Sequence, residues 1–175
     1  MIRERRERQF EEAVLEISRI SRTVAGGRRI RFRVLVALGD YKGKVGIGVG
    51  KAPDIAEAIR KAKLVAEKHM IEVPVHSETI PCKIIATYGA SKLILKPASQ
   101  GRSIIAGGSV RTIVSLAGIK NISIKILGSD NKINNAKAMM IALKKIKKLD
   151  EQLKFRRRSK ESQMEKKNGI DKNKK

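Results

Sequence analysis

The segment from Ile30 to Leu38 constrains the fold of this chain more than any other. Ile30, Phe32, Val34, Val36 and Leu38 occupy every second position. A period of two puts them on one face of an extended strand. Arg29, Arg31 and Arg33 fall on the opposite face. An antiparallel sheet tolerates a merely solvated face, but three cations with no acid between them favour a surface turned toward phosphate. Gly39-Asp40-Tyr41-Lys42-Gly43 has the composition of a hairpin turn. The returning strand puts Val45, Ile47 and Val49 toward a core, with Lys44, Gly46, Gly48 and Gly50 on its other side. Repeated glycine in a strand marks close approach of another backbone or a ligand. Beside Lys44 and Lys51 the functional reading is an RNA backbone; the alternative is tight packing against another protein segment.

The flanking pattern extends this unit. Phe10, Val14 and Ile17 have helical spacing, so Ile2 to Ile17 is expected to be a helix. Ser18 to Val24 reads as a short strand, and Gly26-Gly27 as a flexible turn. Pro53 suits a first helical position, and Ile55, Ile59, Ala62, Ala66 and Met70 continue a helical stripe. Helix, three strands and helix is the order of a double-stranded-RNA-binding domain.

Residues 74–82 contain Pro74 and Pro81 and read as a linker. A second unit spans 83–149. Strands are expected at Lys83 to Tyr88, at Lys92 to Lys96 and through Ile122, Ile124 and Ile126. A short helix through Val110 and Val114 ends at Gly118, and a longer helix runs from Asn131 to Leu149. The fold class is thus α+β, an α-β-β-β-α domain at 10–73 followed by a βαβα domain. Residues 1–9 are a short extension. Residues 150–175 are rich in Lys and Arg and are expected to form a disordered basic tail.

Charge identifies the class of partner. The chain carries 40 Lys and Arg against 17 Asp and Glu, a net charge of +23 over 175 residues. Such a balance is offset most readily by nucleic acid. Aromatic residues make up only 3% of the chain, which argues against stacking of unpaired bases and for recognition of folded RNA by backbone and shape. One cysteine, Cys82, permits no internal disulfide and fits a reducing compartment. No secretory or membrane-spanning run is evident, so an intracellular, membrane-free protein is expected.

Enzymatic motifs fail individually. A phosphate loop ending at Gly50-Lys51 needs glycine at Val45 and a hydroxyl residue at Ala52. Pro53 stands where a dinucleotide fingerprint needs its last glycine. His69, His76 and Cys82 match no zinc spacing. No catalysis, metal or cofactor is expected, and no small-molecule substrate. The basic amphipathic helix from Asn131 admits a membrane-surface role, but its apolar stripe is what a domain core requires.

The run from Gly27 to Ala52 resembles the signature of small-subunit ribosomal protein five. Gly89-Ala90-Ser91-Lys92, Lys96-Pro97-Ala98, Ile105-Ala106-Gly107-Gly108, Leu116-Ala117-Gly118 and Gly128-Ser129 are similar to the same family, as are Asn131, Ile133 and Asn134. The chain departs from that pattern at Ala25, where Lys is common, and at Cys82, where His is usual. It departs again at Gly101-Arg102-Ser103, in place of Gly-Thr-Gly. The resemblance implies a double-stranded-RNA-binding fold followed by a left-handed βαβ domain. It implies a place at the body–neck junction of the small subunit, bound to its ribosomal RNA. Ribosomal proteins four and eight and messenger RNA at the entry path are the implied neighbours, with an influence on decoding accuracy. The segment Ser21 to Arg28 is implied to reach toward the neck.

The expected RNA contacts are Arg19, Arg22, Gly26, Gly27, Arg28, Arg29, Arg31, Arg33, Lys42, Lys44 and Lys51 in the first domain, and Lys96, Arg102 and Arg111 in the second. Gly26 and Gly27 would let the loop backbone approach RNA closely. The expected location is the cytoplasm, on the ribosome, an organellar ribosome being equally compatible. The rival readings are a free-standing double-stranded-RNA-binding assembly factor and a binder of anionic membranes.

Overall fold

The computed structural model describes the backbone of residues 10–75 and 78–172; beyond Gln152 it describes the side chain of Phe155 alone. The extension 1–9, the start of the expected first helix, His76 and the last three residues lie outside the described residues. Two four-stranded sheets organise the chain. The first contains β1 (Glu11–Val24), β2 (Gly27–Gly39), β3 (Lys44–Ala52) and β4 (Ile71–Glu72), in that order, with α1 (Ile55–Lys68) packed on one face. The second contains β5 (Ile84–Tyr88), β6 (Ser91–Pro97), β7 (Ile104–Ile105) and β8 (Ile122–Gly128), in the order β5-β6-β8-β7. Between β7 and β8, which pair in parallel, runs α2 (Gly108–Leu116), and α3 (Lys132–Lys172) closes the domain.

The helix expected over Ile2 to Ile17 is, from Glu11 onward, strand. Every residue from Glu11 to Val24 except Leu15 pairs with a partner on β2, and the register shifts between Val14 and Glu16. That bulge inserts Leu15 and breaks the two-residue period. Phe10, Val14 and Ile17 acquire helical spacing as a result, although the chain is extended. Cross-strand pairing with β2 overrides the local pattern.

The glycine face of β3 receives α1, not RNA. A Cβ on Gly46, Gly48 or Gly50 would collide with the carbonyl oxygens of Ala66, Ala62 and Ala58 respectively. Alanines at every fourth helical position lie over glycines at every second strand position, and the two backbones touch. Val34, Val36 and Leu38 complete this small core. Asp54 caps α1, its Oδ2 accepting from the Ala56 N–H at 3.1 Å. Pro53 therefore precedes the cap and is not the first helical residue; a carboxylate satisfies the free amides better there.

The opposite face of the first sheet is also buried. Leu35 and Ala37 of β2 and Val45 of β3 belong to one core with Leu93, Leu95, Ile113, Ile122, Met139 and Leu143 of the second domain. The two domains are fused along this seam. The Tyr41 N–H donates to the Leu116 carbonyl at 3.0 Å, anchoring the β2–β3 turn on the end of α2. The expected linker takes part as well. Ile80 is buried, Val75 packs against the shared core, and the Thr79 hydroxyl donates to the Asn121 carbonyl at 2.6 Å. Because Leu35 is 1% exposed within this shared core, Leu35→Ala should cost about 3 kcal/mol. Urea unfolding followed by amide exchange should show both domains losing protection together; separate transitions would contradict a fused core.

The second domain follows its sequence closely, apart from the short strand β7, which was not among the expected elements, and a difference at its end. The helix begun at Lys132 continues to Lys172, through the segment expected to be disordered. The run from Asp150 to Lys167 has no glycine or proline and is rich in Lys, Arg, Glu and Gln, all good helix formers. Among the described residues no helix is long and apolar enough to cross a membrane.

Candidate nucleic-acid interface

The first two strands outrun the rest of their sheet. The pairing of β2 with β3 ends at Phe32 opposite Ala52. Residues 27–31 pair with β1 alone, forming a two-stranded ribbon that projects roughly 17 Å past the third strand. Arg19, Arg22, Gly26, Gly27, Arg28, Arg29 and Arg31 are all exposed on it. An isolated two-stranded ribbon is marginal in water, so this one gains little from its own chain.

Strand register sorts the cations by face. Arg22 lies directly opposite Arg29, Ile20 opposite Arg31, and Ser18 opposite Arg33. Lys51 of β3 stands on the other side of Arg33. Directly opposed residues share a face, so Arg22, Arg29, Arg31, Arg33 and Lys51 form one continuous basic surface. Arg19, opposite Phe32, and Arg28, opposite Thr23, occupy the reverse face. The ribbon thus presents arginine on both sides, four to one face and two to the other.

No carboxylate tempers this charge from within the ribbon: the sequence holds no Asp or Glu between Glu16 and Asp40. Like charges directly opposed across strands destabilise a sheet. The Arg33 Nε is shielded from solvent and has no hydrogen-bond partner among the described residues. An unsatisfied buried donor costs about 1–3 kcal/mol, a cost that an anionic acceptor would remove. Arginine matches phosphate well because its planar fork donates two parallel hydrogen bonds.

The tip differs from the strands. A Cβ on Gly26 or Gly27 would meet nothing within 4 Å, and Gly27 has φ +135°. Glycine at position 27 is required by backbone conformation. At position 26 it leaves the outer surface of the turn flat.

The remaining cations are dispersed. Lys42 and Lys44 sit at the other end of β2, roughly 40 Å from the ribbon tip, where both backbone amides donate to Asp40 Oδ1 at 2.8 and 2.9 Å. Arg111, on α2, lines a cleft of about 640 Å³ with Tyr41, Ser103, Thr112, Ser115 and Lys120. Lys120 was not singled out by sequence reasoning. Its Nζ lies 2.5 Å from Glu78 Oε1, and its one sequence signal is its place just after the Gly118 that ends α2. Arg102 is exposed between Gly101 (φ +85°) and Ser103 (φ +60°). Lys96 alternates with the buried Leu93 and Leu95, so it faces away from α2 and Arg111. Fold and register therefore join Arg22, Arg29, Arg31, Arg33 and Lys51 into one surface and leave Lys42, Lys44, Lys96, Arg102 and Arg111 apart from it.

Comparison with known families agrees with this architecture. Residues 10–74 match the family described as ribosomal protein S5, N-terminal domain, and residues 86–157 match its C-terminal domain. Over 146 residues the chain is 46% identical to the small ribosomal subunit protein uS5c of Thalassiosira pseudonana, covering 83% of this chain and 82% of that protein. Two matched domains in the family's order, on a fold with an arginine ribbon, lead to one assignment: the chain belongs to the ribosomal protein S5 family, a family of structural, non-enzymatic proteins of the small ribosomal subunit, with ribosomal RNA and other ribosomal proteins as its partners.

Proposed function

We propose that the chain anchors small-subunit ribosomal RNA at the body–neck junction through the arginine face of its β1–β2 ribbon. The observation that carries this reading is the direct opposition of Arg22 and Arg29 on an exposed ribbon. Arg31, Arg33 and Lys51 share that face, and no acid stands among them. Such a surface is costly alone and favourable against phosphate. Arg19 and Arg28 grip RNA from the reverse side, and the bare glycine tip lets the turn lie against a backbone. Lys42, Lys44, Lys96, Arg102 and Arg111 make separate contacts, the last beside a cleft suited to a neighbouring chain. Ribosomal proteins four and eight are the protein neighbours, and messenger RNA passes nearby, so that loss of ribbon contacts alters decoding accuracy. The ribosome concerned is cytoplasmic or organellar.

Salt dependence tests the electrostatic part. The five cations of that face alone imply a log–log slope of binding against salt at least as steep as about −4 to −5, since each neutralised phosphate contributes about −0.9 on duplex. Titrating the chain with a small-subunit rRNA fragment between low and moderate salt would show this; a slope near zero would overturn the reading.

A further inference from the structure

Strand β3 has an edge that its own sheet does not cover. The two residues of β4 pair only with Lys44 and Val45, leaving Gly46 to Ala52 without a neighbour on that side among the described residues. Gly43 offers its carbonyl to Val73 on the β4 side, whereas Lys44 offers its carbonyl to Asp40 on the β2 side. By the alternation of strand groups, the amides and carbonyls of Ile47 and Val49 point to the open edge. An uncovered edge of this length is a template for another strand.

A groove of about 390 Å³ runs along that edge. Ile47 and Val49 form its floor, Val65 and His69 of α1 one wall, and Lys137 and Lys144 of α3 the other. Lys137 is held in place, its Nζ donating to the Tyr88 hydroxyl at 3.2 Å and lying 5.1 Å from the ring centroid. No Asp or Glu lines the groove. Val65, at the lip, is 37% exposed.

We infer that this groove takes an extended acidic–apolar segment of another protein, added to β3 as a fifth strand. The open edge supplies main-chain hydrogen bonds, the apolar floor takes every second side chain, and the cationic rim takes carboxylates. The rim disfavours this chain's own basic ends, and a narrow apolar slot along unpaired peptide groups suits a peptide better than RNA. Ile47 and Val49 share a sheet face with Arg33 and Lys51, but neither of those cations lines the groove, whose rim charges are Lys137 and Lys144.

The test uses the full chain and a blocked, fluorescein-labelled heptapeptide of alternating valine and glutamate, read by anisotropy. A second copy of the peptide, N-methylated at alternate residues, keeps charge and side chains but cannot form the strand pairing. The plain peptide should bind at least about tenfold more tightly than the methylated one. The double variant Lys137→Glu/Lys144→Glu, at one half-buried and one exposed position, should lose that binding and keep wild-type affinity for rRNA, since the ribbon is untouched. Equal binding of both peptides would show nonspecific attraction to a cationic protein and overturn the proposal, as would absence of binding. In purified small subunits, benzoylphenylalanine at Val65 should crosslink to an extended acidic segment of a protein; crosslinking to rRNA, or none, would contradict the proposal.

Discussion

Reversing both arginines of the opposed pair, Arg22→Glu with Arg29→Glu, should weaken binding to small-subunit rRNA by about 2–3 kcal/mol, or roughly 30- to 150-fold. The change removes two phosphate contacts and sets two carboxylates against the RNA. Because Arg22 and Arg29 are exposed and directly paired, the substitution removes no core packing. It exchanges one like-charged pair for another, so the thermal midpoint should stay near that of the wild type. The salt slope should fall by about two. Filter binding at fixed salt separates the two outcomes. Unchanged affinity would remove the ribbon face from the RNA contact.

The second large effect concerns stability and lies on the reverse of the same sheet. Gly48→Ala should cost about 3 kcal/mol, because the added methyl group meets backbone atoms of α1 near Ala62 and Ala66 that cannot rotate away. In a domain of this size that corresponds to a fall of about 6–12 °C in the melting midpoint. Gly26→Ala serves as the control: its Cβ would meet nothing within 4 Å, so the midpoint should stay within about 0.5 kcal/mol equivalents of the wild type. Differential scanning calorimetry of the two variants decides the matter. A stable Gly48→Ala protein would mean that α1 does not rest on β3 as described.

The contrast between these glycines shows what the sequence could and could not disclose. The alternation through Val34, Val36 and Leu38 was legible because a strand's period of two is a property of the strand itself. Which partner lies on each face is not. Gly46, Gly48 and Gly50 beside lysines carried the same local signal for a backbone of RNA as for the backbone of α1. The deciding information lay in Ala58, Ala62 and Ala66, on the helix that follows the strand. Small residues recurring at matched periods on a strand and the following helix are the signal that could have found this contact.

Other differences have the same origin. Leu35 and Ala37 lie on the arginine side of β2, and alternation alone does not reveal that the second domain covers them. The bulge at Leu15 disguised a long strand as a helix. The candidate site was legible in kind, because a stretch with many arginines and no acid needs no structure to be noticed. Its geometry was not. Only the register shows that Arg22 faces Arg29, that Lys51 extends their surface, and that Arg19 and Arg28 turn the other way.

Sedimentation tests the central claim most directly. The tagged chain, from cells lysed at moderate salt and run through a sucrose gradient, should migrate with small subunits and whole ribosomes, and high salt should release it. A chain that stays at the top of the gradient at moderate salt would contradict a constitutive place in the small subunit.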